Sequence, residues 1–202
     1  MTPLKRLALQ VEKIKEYGEL SDVGDIARRY FVMNAFDGAL TIIGVLVGSY
    51  AADISQPNAV VITGMSTALA MGISGLWGAT LTETAERKRS LNELEEATLS
   101  NLEDTKIGKA SRMAVVVVAM ADALAPVGAS VFVLLPFFLA SLLQDITLCY
   151  YSSLALGLGT LFALGVFLGH VSRENLVVSG LKTASAGLMG ILVGILLKVS
   201  SV

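Results

Sequence analysis

The sequence predicts an all-α integral membrane protein of five transmembrane helices, with a cytoplasmic N-terminus and an extracytoplasmic C-terminus. Of 202 residues, 54% are hydrophobic and 16% charged, and the mean hydropathy is +0.70, far from the averages of soluble domains. The charges are segregated: 24 of the 32 fall in residues 1–29 and 83–112. Between them lie five apolar runs, each able to cross a hydrocarbon core that takes about 20 helical residues. A transmembrane β-barrel is excluded because barrel strands alternate apolar and polar positions, whereas Met113–Val118 and Leu154–Leu168 read as apolar on every side.

Residues 1–29 form an N-terminal segment with eleven charges and no continuous apolar core, so no cleavable signal peptide is expected. Leu4, Leu7, Val11 and Ile14 recur at helical spacing among Lys5, Arg6, Lys13 and Lys15, the pattern of a helix lying on the cytoplasmic membrane surface. Residues 30–202 form the transmembrane domain, with spans expected at Tyr30–Ala52, Ala59–Thr82, Met113–Leu143, Ile146–Gly169 and Leu176–Leu197. Segment 83–112, rich in Glu, Leu, Ala and Lys and free of proline, is expected to continue the second span as an acidic cytoplasmic helix, with Glu83 and Arg87 paired at i, i+4. The third span is too long for an upright crossing and contains Pro126 and Pro136, which predicts a kink, tilt or break near those prolines.

Orientation follows from the basic residues. Six Lys and Arg precede the first span, six lie between the second and third, and Arg173 and Lys182 flank the fourth connection. Segments 53–58 and 144–145 contain none, and Lys198 alone marks the far end of the last span, so the positive-inside rule places segment 83–112 in the cytoplasm. The net charge of −2 gives no general attraction to nucleic acid. Cys149 is the single cysteine, so an internal disulfide is impossible and packing is its expected role.

Two carboxylates stand within spans, Asp37 in NAFDGAL and Asp122 in AMADALAP. Charge in lipid is costly, so each is a functional candidate; the plainer account is a structural carboxylate bonded to a neighbouring helix. Asn34, Asp37, Thr41, Gly44 and Gly48 share one polar, small face of the first helix. The second span carries Met65 and Met71 among glycines, alanines and hydroxyl residues. The glycines suit close helix packing, while a thioether near an intramembrane carboxylate suits a soft or borderline transition metal. Counted from the cytoplasmic ends at 1.5 Å per residue, Asp37, Asp122 and Met71 lie roughly 12, 15 and 18 Å deep, so they can share one layer. Glu83, Glu86, Glu93, Glu96 and Glu103 suit either a solvated face or an acidic antechamber that gathers cations. Gly72-Ile73-Ser74-Gly75 has the form of the rhomboid-type protease motif, with His170 as the sole histidine base. Ser74 stands mid-span and His170 at a helix end, which argues against an enzyme.

RRYFVMNAFDGALTIIGVLVG and ALAMGISGLWGATLTETAERKRSLNELE resemble the first span and the second span with its cytoplasmic extension in the vacuolar iron transporter family. The resemblance runs from about Arg29 to the C-terminus and suggests a divergent, prokaryotic-like member. It implies a homodimer that exports ferrous iron or manganese from the cytoplasm in exchange for protons, through a path between protomers, with no resident cofactor. Asp37 matches the family's first-span aspartate, Met71 its second-span methionine and Glu86 a glutamate at the start of its extension. Where many members carry a glutamate one turn after that methionine, this chain has Gly75, and Asp122 is the candidate replacement. The expected metal set is therefore Asp37, Met71, Asp122, Glu83, Glu86 and Glu93, with Asp122 as a ligand or proton relay. The resemblance places the protein in the cell membrane of a prokaryote or the vacuolar-type membrane of a eukaryote. A membrane scaffold without transport, its aspartates joining helices, is the alternative.

Overall fold

The computed structural model describes residues 23–200, all the regular structure of which is helical. The proposed surface helix within residues 1–22 lies outside the described residues. Six helices follow in order: α1 Val23–Ala51, α2 Pro57–Thr98, α3 Lys106–Phe138, α4 Ala140–Leu143, α5 Ile146–Ser172 and α6 Leu176–Ser200. Five of these stretches are long and apolar enough to cross a membrane, α3 and α4 counting together as one. They coincide with the five runs expected from hydropathy.

The helices overrun the apolar runs where the sequence permits. α2 continues for four turns past Thr82 and stops at Thr98, where Leu99 takes a left-handed conformation with φ 51°. The amide of Ser100 then donates to the carbonyl of Glu95 at 3.3 Å, the long bond of a Schellman stop. Segment 83–112 is therefore two helical pieces joined by residues 99–105. Leu102 anchors that connection by donating its amide to Glu95 Oε1 at 2.6 Å, and Thr105 Oγ1 donates to the Leu102 carbonyl, also at 2.6 Å. α3 runs through both Pro126 and Pro136, and the break expected near the prolines falls at Leu139, three residues beyond Pro136. A proline removes one hydrogen bond from a helix but does not end it where packing holds the turn.

Helix ends are closed by side chains and left-handed caps. Asp145 accepts the amide of Thr147 at 2.8 Å and starts α5, while Asn175 Oδ1 accepts the amides of Val177 and Val178 to start α6. Gln144 and Arg173, with φ 55° and 58°, finish α4 and α5.

By their internal contacts the described residues divide into two compact units, 23–31 with Ile73–Ala123, and Val32–Gly72 with 124–200. The second holds the main apolar core, in which Ile42, Ile43, Leu46, Val60, Val133, Leu134 and Leu161 are fully buried. Cys149 is also fully buried there, as its packing role requires. Glycines set the helix spacing: a methyl group at Gly38 would stand 2.5 Å from the carbonyl oxygen of Pro126, so α1 and α3 meet backbone to backbone. At one end of this unit the Tyr150 ring packs edge-on against Phe137 and Tyr50, and its hydroxyl donates to the carbonyl of Ile54 at 2.9 Å. Lys198 reaches the same corner, 3.4 Å from the Asp53 carboxylate and over the Tyr50 ring. In the first unit, Val23, Ala114 and Val118 form a smaller core with Tyr30 packed against it.

Candidate functional site

Asp37 belongs to the second unit, and its helix is sharply two-sided. Ala35, Gly38, Ala39, Ile42, Ile43 and Leu46 face inward, and the neighbours of Asp37 on the other side are turned out. Asp37 itself is exposed, as are Met33, Gly44 and Gly48, while Thr41 is half-buried. A methyl group at Gly44 or Gly48 would meet nothing within 4 Å. Among the described residues Asp37 makes no hydrogen bond or ion pair. Of the small, polar face expected from the sequence, Asp37, Gly44 and Gly48 are thus exposed, while Asn34 and Thr41 are half-buried. Met71, on α2 in the same unit, is half-buried.

Asp122 lies in the first unit and is 7% exposed. A methyl group added at Gly75 would stand 3.0 Å from Asp122 Oδ2 and 3.0 Å from its carbonyl oxygen. The α2 position that carries no side chain is therefore the position that faces the α3 carboxylate. Tyr30 joins the same neighbourhood: its side chain is hydrogen-bonded to Glu83 and lies within electrostatic reach of Asp122. Tyr30 was legible only as the start of a span, and its position at the border between charged and apolar sequence is the signal that marks it.

The glutamates of the α2 extension are not equivalent. Glu83 Oε2 takes the Nε of Arg87 at 3.1 Å, and both side chains are shielded, at 12% and 14% exposed. Glu93 pairs with Arg89 at 2.9 Å on the open surface, where such a pair contributes little and exchanges readily. Glu86 is exposed, near enough to act electrostatically on Arg89. Among the described residues no three His, Cys, Asp or Glu side chains are grouped so as to hold one metal ion. Asp37 and Met71 fall in one unit, and Asp122, Glu83, Glu86 and Glu93 in the other. Ser74 and His170, both exposed, also belong to different units.

No family model matches the chain. A protein of Methanocaldococcus jannaschii, described only as uncharacterized, is 29% identical over 168 residues, which is 82% of this chain and 85% of that protein. No solved structure matches.

Proposed function

We propose that this chain is a homodimeric, proton-coupled exporter of ferrous iron or manganese, of the vacuolar iron transporter type. The observation that carries this reading is Asp37, a carboxylate exposed on the outside of an apolar helix long enough to span a membrane. A carboxylate in that position facing lipid tails would cost several kcal/mol. A second copy packed on the open Asp37–Gly44–Gly48 face removes that cost and brings two carboxylates to one axis. A carboxylate held away from water takes either a proton or a cation, and competition between the two is antiport in outline.

In this reading Asp37 and Met71 bind the metal, the carboxylates supplying charge and the thioether a preference for a transition metal over magnesium. Asp122, lodged against Gly75, supplies a second carboxylate as ligand or proton relay. Glu86 and the readily exchanged Glu93 gather cations at the entrance on the cytoplasmic side, while Glu83 is held by Arg87 and Tyr30 and orders that entrance. Burial of Asp122 beside Tyr30 favours the scaffold alternative for that residue, in which it joins α3 to its neighbours.

Manganese uptake into proteoliposomes, with and without a pH gradient, tests the proposal. Saturable uptake that responds to the gradient and is lost in Asp37→Asn is expected. Asn keeps the size and hydrogen-bonding capacity of Asp while removing its charge, so the variant should fold as the wild type does. Uptake indistinguishable from empty vesicles would leave the scaffold reading in its place.

A further inference from the structure

Where α2 and α3 leave their apolar stretches, the first unit carries a half-open cavity of about 350 Å³. Arg87, Lys88 and Arg112 line it together with Thr84, Ser111 and a single carboxylate residue, Glu103. Arg87 is held on one edge by Glu83, while its Nη2 is fully buried and has no hydrogen-bond partner. That uncompensated edge adds positive potential to the cavity wall. Arg112 is fixed by the bond from its Nη2 to the carbonyl of Glu103 at 3.0 Å, which leaves its other donors for a ligand. Gly108 and Ser111, in the first two turns of the 33-residue α3, line the cavity too, and the positive end of that helix adds to the field. Gly108 is held tightly: a methyl group there would stand 2.6 Å from the Leu102 carbonyl oxygen.

We propose that this cavity binds a phosphate group, taken either from the headgroup of an anionic lipid or from free phosphate in solution. The chemistry is shared: a tetrahedral oxyanion accepts from the guanidinium of Arg112 and from the hydroxyls of Thr84 and Ser111, with Lys88 and Arg87 supplying further positive charge. The position favours the lipid, because Thr84 and Arg112 stand within two residues of the apolar stretches that end at Thr82 and begin at Met113, the level of a headgroup. This inference is independent of metal transport and stands or fails on its own experiment.

The test uses the full chain in a neutral detergent, titrated with phosphatidylglycerol, phosphatidylcholine or inorganic phosphate, with bound lipid read by native mass spectrometry and stability by thermal unfolding. Phosphatidylglycerol is expected to bind and stabilise where phosphatidylcholine does not. Lys88→Gln and Arg112→Gln should each weaken it by about tenfold or more, the loss of one charge-assisted contact. Arg112 also steadies the 99–105 connection, so exposed Lys88 provides the variant that leaves the fold untouched. Stabilisation by phosphatidylglycerol alone identifies the lipid headgroup as the ligand, and stabilisation by inorganic phosphate as well identifies free phosphate. Equal binding of phosphatidylglycerol and phosphatidylcholine with no effect of phosphate, or undiminished binding in both variants, would overturn the proposal.

Discussion

Gly75 and Asp122 are complementary in size: the absent side chain on α2 leaves the room that the carboxylate on α3 occupies, with 3.0 Å between Asp122 Oδ2 and the place of a Gly75 Cβ. A glutamate at position 75 would put a second carboxylate against the first. Gly75→Glu alone should therefore lose most activity and some stability, through overpacking of about 1–3 kcal/mol and like-charge repulsion. Asp122→Ala should also lose activity. If the carboxylate has moved from one helix to the other, the double variant Gly75→Glu with Asp122→Ala should recover transport above either single variant. Additive losses in proteoliposome uptake would show that the two positions do not exchange one role.

The open face of α1 leads to a second expectation. Gly44 and Gly48 lie one turn apart with nothing within 4 Å of an added methyl group, on the same side as Asp37. Cysteines introduced at Gly44 or Gly48 should crosslink two copies in a bilayer, and cysteines at the buried Ile42 or Leu46 should not. Background should be low, because the native Cys149 is fully buried. A protein that stays monomeric in bilayers, with no crosslink from either glycine position, would contradict the dimer.

What the sequence made legible was whatever depends on near neighbours along the chain. The five apolar runs gave the helices, the i, i+4 spacing gave the Glu83–Arg87 pair, and the helical period gave the face of Asp37, Gly44 and Gly48. The pairing of Gly75 with Asp122 joins positions 47 residues apart, and no local rule reports which small residue faces which carboxylate. The break in segment 83–112 was equally hidden, because helix stops are read from glycine or proline and here a leucine takes the left-handed turn. The prolines marked the neighbourhood of the break at Leu139 and not its residue: at Pro126 Gly38 lets α1 close against that turn of α3, and the helix carries on to Phe138.

Leu99 supplies a stability prediction with a defined sign. It adopts φ 51° and is 93% exposed, so its side chain resists the backbone conformation while packing against almost nothing. Leu99→Gly removes a left-handed cost of about 1–2 kcal/mol. The extra freedom of glycine in the unfolded chain takes back about 0.5–1 kcal/mol, leaving a net gain of up to about 1.5 kcal/mol. Leu99→Ala keeps the Cβ and should gain little. The melting temperature in detergent should rise for glycine and not for alanine. An equal rise for both would assign the effect to removal of an exposed apolar side chain.

The distribution of basic residues makes the last prediction, which concerns orientation. Asn58, at the start of α2, and Ser100, just beyond its far end, are both exposed and separated by the whole 42-residue helix. At 1.5 Å per residue that helix is roughly 63 Å long, about twice a hydrocarbon core, so its two ends cannot lie on the same side if it crosses upright. Arg87, Lys88 and Arg89 follow the second span and Lys106, Lys109 and Arg112 precede the third, so by the positive-inside rule Ser100 is expected on the cytoplasmic side. With Cys149 buried, cysteines introduced at Asn58 and Ser100 can be labelled one at a time by a membrane-impermeant maleimide in intact cells and again after permeabilisation. Asn58→Cys should label in intact cells and Ser100→Cys only after permeabilisation. The reverse pattern would keep the five spans but invert them, turning the proposed exporter into an importer, and labelling of both from one side would refute the crossing of α2.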